Sequence, residues 1–298
     1  MIPPQFDYVR PSALADALAI LTEREGEAKI LSGGYSLIPL LKLRLAQPGL
    51  LVDIRDVSGL DGIAETDAGL TIGGRATHRR ILLDPAVAAR YPLLRDAASG
   101  IGDPQVRNWG TIGGSCAHAD PSADWPAVLI ASRATVVCRS TAGERQVPAR
   151  EFFLDTFFND TATTEIYTEV RVPRPGPRSG GAYQKIERKA GDFATAAAAV
   201  QLSLGADGRI EAAGIGLTAV AETAFAATDA EAVLVGSMPS EELFRRAGDA
   251  AAAQCRPASD GHGPAEYKRA MAAEMTVRAL RGAVARALGS AQAGGARS

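Results

Sequence analysis

The stretch VRNWGTIGGSCAHADPSADWPA (residues 106–127) combines a glycine pair with a histidine, two aspartates and two tryptophans. Its central letters TIGG, residues 111–114, repeat those of residues 71–74, and another glycine pair lies at residues 33–34. Glycine has no side chain, so it lets other groups approach the backbone closely. The three pairs therefore indicate that bare backbone comes into close contact at several places in the fold.

Composition restricts the class of protein. The chain has 298 residues, of which 46% are hydrophobic and 22% charged, and its net charge is −2. Two domains with a sizeable core are expected at this length. This charge does not indicate a broad basic face, so we expect no nucleic-acid partner. Since the sequence has neither a secretory signal pattern nor a run long enough to span a membrane, we expect a cytoplasmic protein without a transmembrane segment.

The cysteines argue against a metal centre in this chain. Cys116, Cys138 and Cys255 are odd in number, and none belongs to a C-x-x-C pair. A disulfide framework, or a zinc or iron–sulfur site within this chain, is therefore not expected.

Residues 1–54 have the pattern of a βαβαβ unit, which predicts a small parallel sheet. Ser12 is a candidate N-cap of the first helix. The predicted elements are strands at 5–11, 28–31 and 50–54 and helices at 12–23 and 37–45.

The middle and end of the chain differ in pattern. A hairpin, short helices, a helix near 122–132 and strands ending at Pro173 are predicted after residue 59. RPGPRSGG (residues 174–181) is typical of a linker. Three strands and three alanine-rich helices follow, the last at 265–288. The fold class is therefore α+β, with a larger N-terminal region and a smaller C-terminal sheet-plus-helices domain.

Gly33-Gly34 lies between a predicted strand and a helix that begins at Ser36. Backbone N–H groups at such a position can bind an anion. Neither a P-loop lysine nor the G-x-G-x-x-G pattern is present, so both standard nucleotide motifs are absent. A simple tight turn is the alternative.

Gly113-Gly114 is expected to lie before a helix that begins near Asp120-Pro121-Ser122, where it would hold the other half of a diphosphate. Asp124 could then accept a hydrogen bond from a ribose or ribityl hydroxyl. In the alternative interpretation, Asp120 is the helix N-cap and Asp124 is an acid favoured by the helix dipole.

The remaining polar and aromatic residues have simpler interpretations. Gly73-Gly74 is expected to end a strand before a surface helix. His78 and His118 are expected to be solvated or to cap helices. Cys116 is expected to be a small buried residue, and Trp109 and Trp125 to belong to the core.

YQKIERKAGDF (residues 183–193) leaves two interpretations open. Lys185 and Glu187 share one face of a predicted strand, with Arg188 on the other. The segment is either a charged edge strand or a cofactor contact, with Lys185 at a phosphate or flavin edge and Phe193 over an aromatic ring. Together, the motifs predict a dinucleotide held by two glycine loops.

Four segments carry a resemblance to a known family. SGGYSLIPLLKLRL, IGDPQVRNWGTIGGSCAHADPSADWPA and YQKIERKAGDFATAAAAV, in this order, resemble the FAD-binding medium subunit of molybdenum hydroxylases. ASDGHGPAEYKRAMAAEM (residues 258–275) is similar to the carbon monoxide dehydrogenase subfamily in particular. The likeness extends over nearly the whole chain.

The resemblance implies a fold of the PCMH or vanillyl-alcohol-oxidase type. Two α+β subdomains, about 1–56 and 57–176, would hold FAD between them. A C-terminal domain, 177–288, and a disordered tail, 289–298, would follow. No acid–base residue is assigned, because the chemistry belongs to the cofactor. The implied FAD contacts are Ile30, Leu31, Ser32, Gly33, Gly34, Tyr35, Ser36, Leu37, Ile101, Gly102, Thr111, Ile112, Gly113, Gly114, Ser115, Asp124, Tyr167, Lys185 and Phe193.

The resemblance also implies partners: a small iron–sulfur subunit and a large subunit with the molybdopterin cofactor, in a dimer of heterotrimers. Electrons would pass from the clusters through FAD to an external acceptor. A standalone FAD oxidoreductase and a non-catalytic assembly subunit that has lost FAD are the alternative functions.

Two features depart from the family pattern. Ser115 stands where relatives usually have Asn, so one amide contact would be lost. FFNDTATTEIYTEV (residues 157–170) replaces a more apolar run with Leu near the Tyr167 position. Both features predict altered flavin contacts.

Overall fold

The first sheet is the small parallel sheet expected from the sequence. The computed structural model describes the backbone of residues 2–295 and the side chains of residues 2–289. The strands lie in the order β1-β3-β2, and both pairs are parallel. The elements are β1 (Asp7–Val9), α1 (Leu14–Glu23), β2 (Ala28–Leu31), α2 (Leu37–Lys42) and β3 (Leu50–Asp53).

Helix α1 begins later than predicted. Its N-cap is Ala13, which makes no side-chain cap hydrogen bond, so the assignment of Ser12 as the cap was wrong. Tertiary packing compensates, because α1 buries Ala17, Leu18 and Leu21 against the first sheet.

The second sheet has five antiparallel strands in the order β4-β5-β10-β6-β7. Its strands are β4 (Ile63–Thr66), β5 (Gly69–Gly73), β6 (Thr135–Ser140), β7 (Gly143–Pro148) and β10 (Ile166–Pro173), and β8 (Phe153–Asp155) pairs with β9 (Phe158–Asn159) outside it. The helices of this region are α3 (His78–Leu83), α4 (Pro85–Arg90), α5 (Pro92–Gly100), α6 (Pro104–Trp109), α7 (Ile112–His118), α8 (Asp124–Ala131) and α9 (Ala149–Phe152).

The third sheet contains consecutive antiparallel strands: β11 (Ser179–Ile186), β12 (Ala196–Leu204), β13 (Ile210–Thr218) and β14 (Phe225–Ala226). Three helices follow: α10 (Thr228–Leu234), α11 (Glu241–Gln254) and α12 (Ala265–Gly295). Strand β11 is at the edge of the sheet, as one of the two interpretations of residues 183–193 predicted.

Glycines fit the third sheet between two helices. A Cβ atom at Gly216 would overlap the carbonyl oxygen of Ala127 in α8, and one at Gly180 would overlap that of Ala283 in α12. Every residue of α8 is buried. Helix α8 thus shares one core with the N-terminal region and with Ala197 and Ala199 of β12, and it connects that region to the C-terminal sheet.

Helix α12 continues to Gly295, although the sequence predicted a disordered tail from residue 289. The alanines and glutamine of this segment have good helix propensity, which favours continuation. Residues 296–298 of the predicted tail lie outside the described residues. Within the described part, no helix is long and apolar enough to cross a membrane.

Candidate functional site

The three glycine pairs of the sequence converge in the fold. A Cβ atom at Gly33 would overlap the carbonyl oxygen of Trp109, so the first glycine loop lies directly on the second. The hydroxyls of Ser32 and Thr111 are 3.0 Å apart and hydrogen-bonded. These contacts bring segments about 80 positions apart into one packed unit.

The Gly73-Gly74 pair supports this unit. Gly73 ends β5, as predicted. Gly74 also contacts the second glycine pair directly. The Gly113 N–H donates to the Gly74 carbonyl at 2.9 Å, and a Cβ at Gly113 would lie 2.6 Å from the same oxygen. Glycine is therefore required where the two identical TIGG segments meet.

The first loop has the predicted order of strand, glycine pair and helix. Gly34 has φ +82°, a left-handed conformation that favours glycine, and it connects β2 to α2. Ser36 is the N-cap of α2, although its side chain makes no cap hydrogen bond. Tyr35 is 42% exposed at the tip of the loop.

The second glycine pair lies inside a helix rather than in a loop before one. Thr111 is the N-cap of α7, and its hydroxyl accepts a hydrogen bond from Gly114 N–H at 3.0 Å. A Cβ at Gly114 would meet only that hydroxyl, at 2.7 Å, and otherwise open space. The first turn of α7 therefore presents bare backbone, although α7 itself was not predicted.

Asp120 is not a helix cap. Its carboxylate accepts a hydrogen bond from Ser122 N–H at 2.8 Å, which forms an Asx turn, and Ala123 is the N-cap of α8. Both the predicted helix start at Asp120 and the N-cap interpretation were therefore wrong. Asp124 follows this turn as the first residue of α8.

His78 is a core residue, and the expectation of a solvated or capping histidine was wrong for it. Trp125 Nε1 donates to His78 Nδ1 at 2.9 Å, and both side chains are buried. Burial, with a smaller effect of the Arg107 charge, lowers the pKa of His78 to about 4. The neutral ring lies beside Gly110, where a Cβ would be 2.7 Å from Nε2. His78 thus packs against Gly110, next to the second glycine pair.

The other aromatic residues divide between core and surface. Trp125 is buried as predicted, whereas Trp109 is 56% exposed, so its assignment to the core was wrong. Its backbone, not its indole, makes the contact with Gly33. His118 is half-buried against Phe157, with ring centroids 5.0 Å apart, and burial lowers its pKa.

A buried network forms where α8 meets β11. Tyr183 Oη donates to Asp124 Oδ1 at 2.6 Å, and Lys185 Nζ lies 3.3 Å from the same oxygen. Although Lys185 and Tyr183 act to lower it, the pKa of Asp124 is raised by burial. Burial and the Asp124 carboxylate raise the pKa of Tyr183 well above its usual value. Tyr183 therefore remains a hydrogen-bond donor at neutral pH.

Lys185 is a connecting residue of this network. Its Nζ donates to the carbonyl oxygens of Gly100, at 2.8 Å, and Asp192, at 3.2 Å, and lies 3.1 Å from Glu187 Oε2. Its side chain is only 8% exposed. Although β11 is an edge strand, this lysine points inward, and protein acceptors surround its ammonium group.

The turn at Ile101 and Gly102 lies next to the loop that ends at Phe193. Arg107 Nη1 donates to the carbonyls of Ile101 and Gly102 at 2.9 and 2.8 Å. A Cβ at Gly191 would lie 3.0 Å from the Gly102 oxygen. Phe193 is 50% exposed at the end of this loop.

Some of the predicted site residues lie in the core. Leu31 and Ile112 are buried, and Tyr167 is 6% exposed, with its ring 5.9 Å from that of Phe152. Cys116 is fully buried as predicted, and burial raises the pKa of its thiol to about 12, so it stays protonated.

Three functional candidates were missed: Gly74, Arg107 and Tyr183. For Gly74 the available signal was its TIGG segment, which is identical in sequence to the TIGG segment of the second glycine pair. Tyr183 is two residues before Lys185, so strand alternation places both on one face. No local signal marks Arg107 as the residue that organises the 101–102 turn. Among the described residues, no group of three or more His, Cys, Asp or Glu side chains could hold a metal ion.

Comparison with known proteins identifies two family models in tandem. Residues 4–175 match the FAD binding domain in molybdopterin dehydrogenase, and residues 181–283 match the CO dehydrogenase flavoprotein C-terminal domain. The chain is 43% identical to the carbon monoxide dehydrogenase medium chain of Hydrogenophaga pseudoflava, over 96% of this chain and 99% of that one. It is 37% identical to subunit alpha of the 6-hydroxypseudooxynicotine dehydrogenase complex of Paenarthrobacter nicotinovorans, over 96% and 97%.

Solved structures show the same similarity. The chain matches a chain of the carbon monoxide dehydrogenase from Hydrogenophaga pseudoflava with a TM-score of 0.93 and 45% identity, covering 96% of this chain and 99% of that one. For quinoline 2-oxidoreductase from Pseudomonas putida 86 the TM-score is 0.90 at 36% identity, covering 98% and 100%. The chain has an α+β fold, with an FAD-binding domain before a C-terminal flavoprotein domain, and it belongs to the family of FAD-binding medium subunits of molybdenum-dependent oxidoreductases.

Proposed function

We propose that this chain is the FAD-carrying electron-transfer subunit of a molybdenum hydroxylase complex. It takes electrons from iron–sulfur clusters of a partner subunit and passes them to an external acceptor. The observation that carries the proposal is the contact between the two glycine loops, Gly33 on Trp109 and Ser32 on Thr111. This contact joins the first and second subdomains at the place where the resemblance implies the cofactor.

The residues present fit FAD. The open backbone at Gly114 leaves room that a side chain would fill, and the first glycine loop, at the start of α2, has backbone N–H groups that suit a diphosphate. Asp124 is held by a tyrosine and a lysine, and its carboxylate is an acceptor for a ribityl or ribose hydroxyl. Phe193 provides an exposed ring for the flavin. We keep the remaining predicted contacts, Tyr167 included, as part of this proposal.

Bound FAD supplies a centre that accepts and releases electrons. The chain itself binds the diphosphate through backbone and orients the cofactor through Asp124. Lys185 holds the segments that carry Gly100 and Asp192 together. No residue of this chain is assigned a proton-transfer step, and substrate oxidation belongs to the large subunit.

The proposed partners are the small iron–sulfur subunit and the large molybdopterin subunit, in a dimer of heterotrimers. Relatives described as a medium chain or as a subunit of a complex support this assembly. Three free, buried cysteines support the proposed cytoplasmic location, since cytoplasmic thiols stay reduced.

An absorption spectrum of the chain, purified gently from its own host cells, tests the function. We expect flavin bands overlaid by the broad absorption of iron–sulfur clusters, together with two further subunits on a gel. Flavin bands without partners, under conditions that retain weak complexes, would favour a standalone oxidoreductase. A colourless product that still binds partner subunits would favour an assembly role without FAD.

A further inference from the structure

The C-terminal segment 258–275 is held in place by a buried lysine. It contains Lys268, which is only 5% exposed. Lys268 Nζ donates to Asp260 Oδ2 at 2.6 Å, and Asp260 Oδ1 accepts the His262 N–H at 2.8 Å. A buried ammonium group needs a partner of this kind. Residues 259–268, which we call the clasp, are therefore organised around an ion pair between the buried Lys268 and the exposed Asp260.

The clasp contacts the loop that ends at Phe193. Arg188 Nη1 donates to the Gly261 carbonyl at 3.0 Å, and Arg188 Nη2 donates to Asp192 Oδ2 at 3.2 Å. His262 Nε2 lies 4.0 Å from Asp192 Oδ1 and forms an ion pair with it when the imidazole is protonated. The side chains of Arg188 and His262, which are more than 70 positions apart in the sequence, thus both approach the Asp192 carboxylate.

Asp192 transmits this contact to Phe193. Its Oδ1 accepts the Phe193 N–H at 3.0 Å, and its carbonyl accepts Lys185 Nζ at 3.2 Å. Burial acts to raise the pKa of Asp192, but the Phe193 N–H, Arg188 and His262 outweigh it and lower that pKa. The carboxylate is therefore ionised at neutral pH, and it fixes the backbone that carries an exposed aromatic ring.

We propose that the clasp positions Phe193 at the flavin, acting through Arg188 and Asp192. Arg188, Asp192, Asp260, His262 and Lys268 are positioning residues in this proposal, and none of them contacts the reacting atoms. The inference rests on the proposed function, because it assigns Phe193 to the flavin. Its first part, that the clasp holds the loop 187–193, does not need FAD.

Hydrogen exchange tests this first part in the full-length chain without flavin. The N–H groups of Gly191, Asp192 and Phe193 are all hydrogen-bonded within the loop. We expect their exchange to accelerate several-fold in Arg188→Ala and in His262→Ala. Arg278→Ala is the matched control, because that arginine forms an exposed ion pair with Glu274 within α12. Unchanged exchange at residues 191–193 in both Arg188→Ala and His262→Ala would overturn the proposal.

Flavin fluorescence tests the second part in the FAD-loaded chain. A tyrosine ring on the flavin quenches its fluorescence, so Phe193→Tyr should be dimmer than Phe193→Leu. Adding Arg188→Ala should raise the fluorescence of the Phe193→Tyr variant several-fold and leave that of the Phe193→Leu variant unchanged, at equal FAD content. Equal changes in both variants would show a general structural effect and overturn the proposal.

The two assays also separate the inference from the proposed function. A folded chain that binds no FAD would contradict the proposed function and the assignment of Phe193 to the flavin. Exchange would still decide whether the clasp holds the loop. A chain that binds FAD but shows no change in exchange would refute the clasp alone.

Discussion

The hydroxyl of Tyr183 lies 2.6 Å from the carboxylate of Asp124, and this buried hydrogen bond joins the C-terminal sheet to the N-terminus of α8. The bond fixes one oxygen of the only acid that we assign to a cofactor hydroxyl. Cofactor binding in the N-terminal domain should therefore depend on a residue of the C-terminal domain.

Tyr183→Phe tests this dependence. Removing a donor from a buried carboxylate costs about 1–3 kcal/mol, so we expect the dissociation constant for FAD to rise about tenfold. Titration of the flavin-free chain, followed by flavin fluorescence, measures it. Tyr91→Phe is the matched control, because Tyr91 is also a buried tyrosine and its hydroxyl bonds a different carboxylate, that of Glu65 in β4, at 3.4 Å. Equal affinities for the two variants would contradict the role of Tyr183.

His78 should make the fold sensitive to acid. Its pKa is about 4 in the folded chain against 6.5 for the free side chain, so the unfolded state binds the additional proton. The stability contributed by neutral His78 is present above pH 6.5 and is lost as the pH falls toward 4. This linkage amounts to about 2 kcal/mol between pH 8 and pH 5.

Urea unfolding of the flavin-free chain at pH 8 and pH 5 measures this effect. His78→Gln keeps an acceptor for Trp125 without a titrating group, so its free energy of unfolding should fall less between the two pH values. The same loss in both proteins would show that the acid sensitivity arises elsewhere.

Ser115→Asn should strengthen FAD binding. The family resemblance implies Asn at this position in relatives, and the Ser115 side chain is half-buried in α7. One recovered hydrogen bond of about 1 kcal/mol corresponds to a roughly fivefold lower dissociation constant. Fluorescence titration against the parent chain measures it, with Ser122→Asn as a control in the neighbouring turn. Weaker or unchanged binding would show that Ser115 does not face the cofactor.

Local sequence patterns predicted much of the architecture. The βαβαβ opening, the edge strand with Lys185 and the alanine-rich C-terminal helices follow from periodicity over a few residues, and the structure has them. Helix α7 was missed because two glycines lie in its first turn, where their low helix propensity hides a cap supplied by Thr111.

The parts that could not be predicted depend on distant contacts. His78 is buried because Trp125, 47 positions away, donates to it. Trp109 is exposed because its backbone, rather than its ring, packs on Gly33. The meeting of Gly74 with Gly113 likewise depends on the register of β5 and β10, which a single sequence does not specify.

The central claim is that the glycine loops hold FAD, and the flavin content of Gly114→Asp tests it most directly. The new Cβ meets a single side-chain atom, the Thr111 hydroxyl, so the fold should survive, while a carboxylate enters the cradle and repels a diphosphate. We predict that the purified variant retains less than about a hundredth of the parent's flavin, with Gly114→Ala intermediate and circular dichroism unchanged. A folded Gly114→Asp chain with the parent's full flavin content would contradict the account.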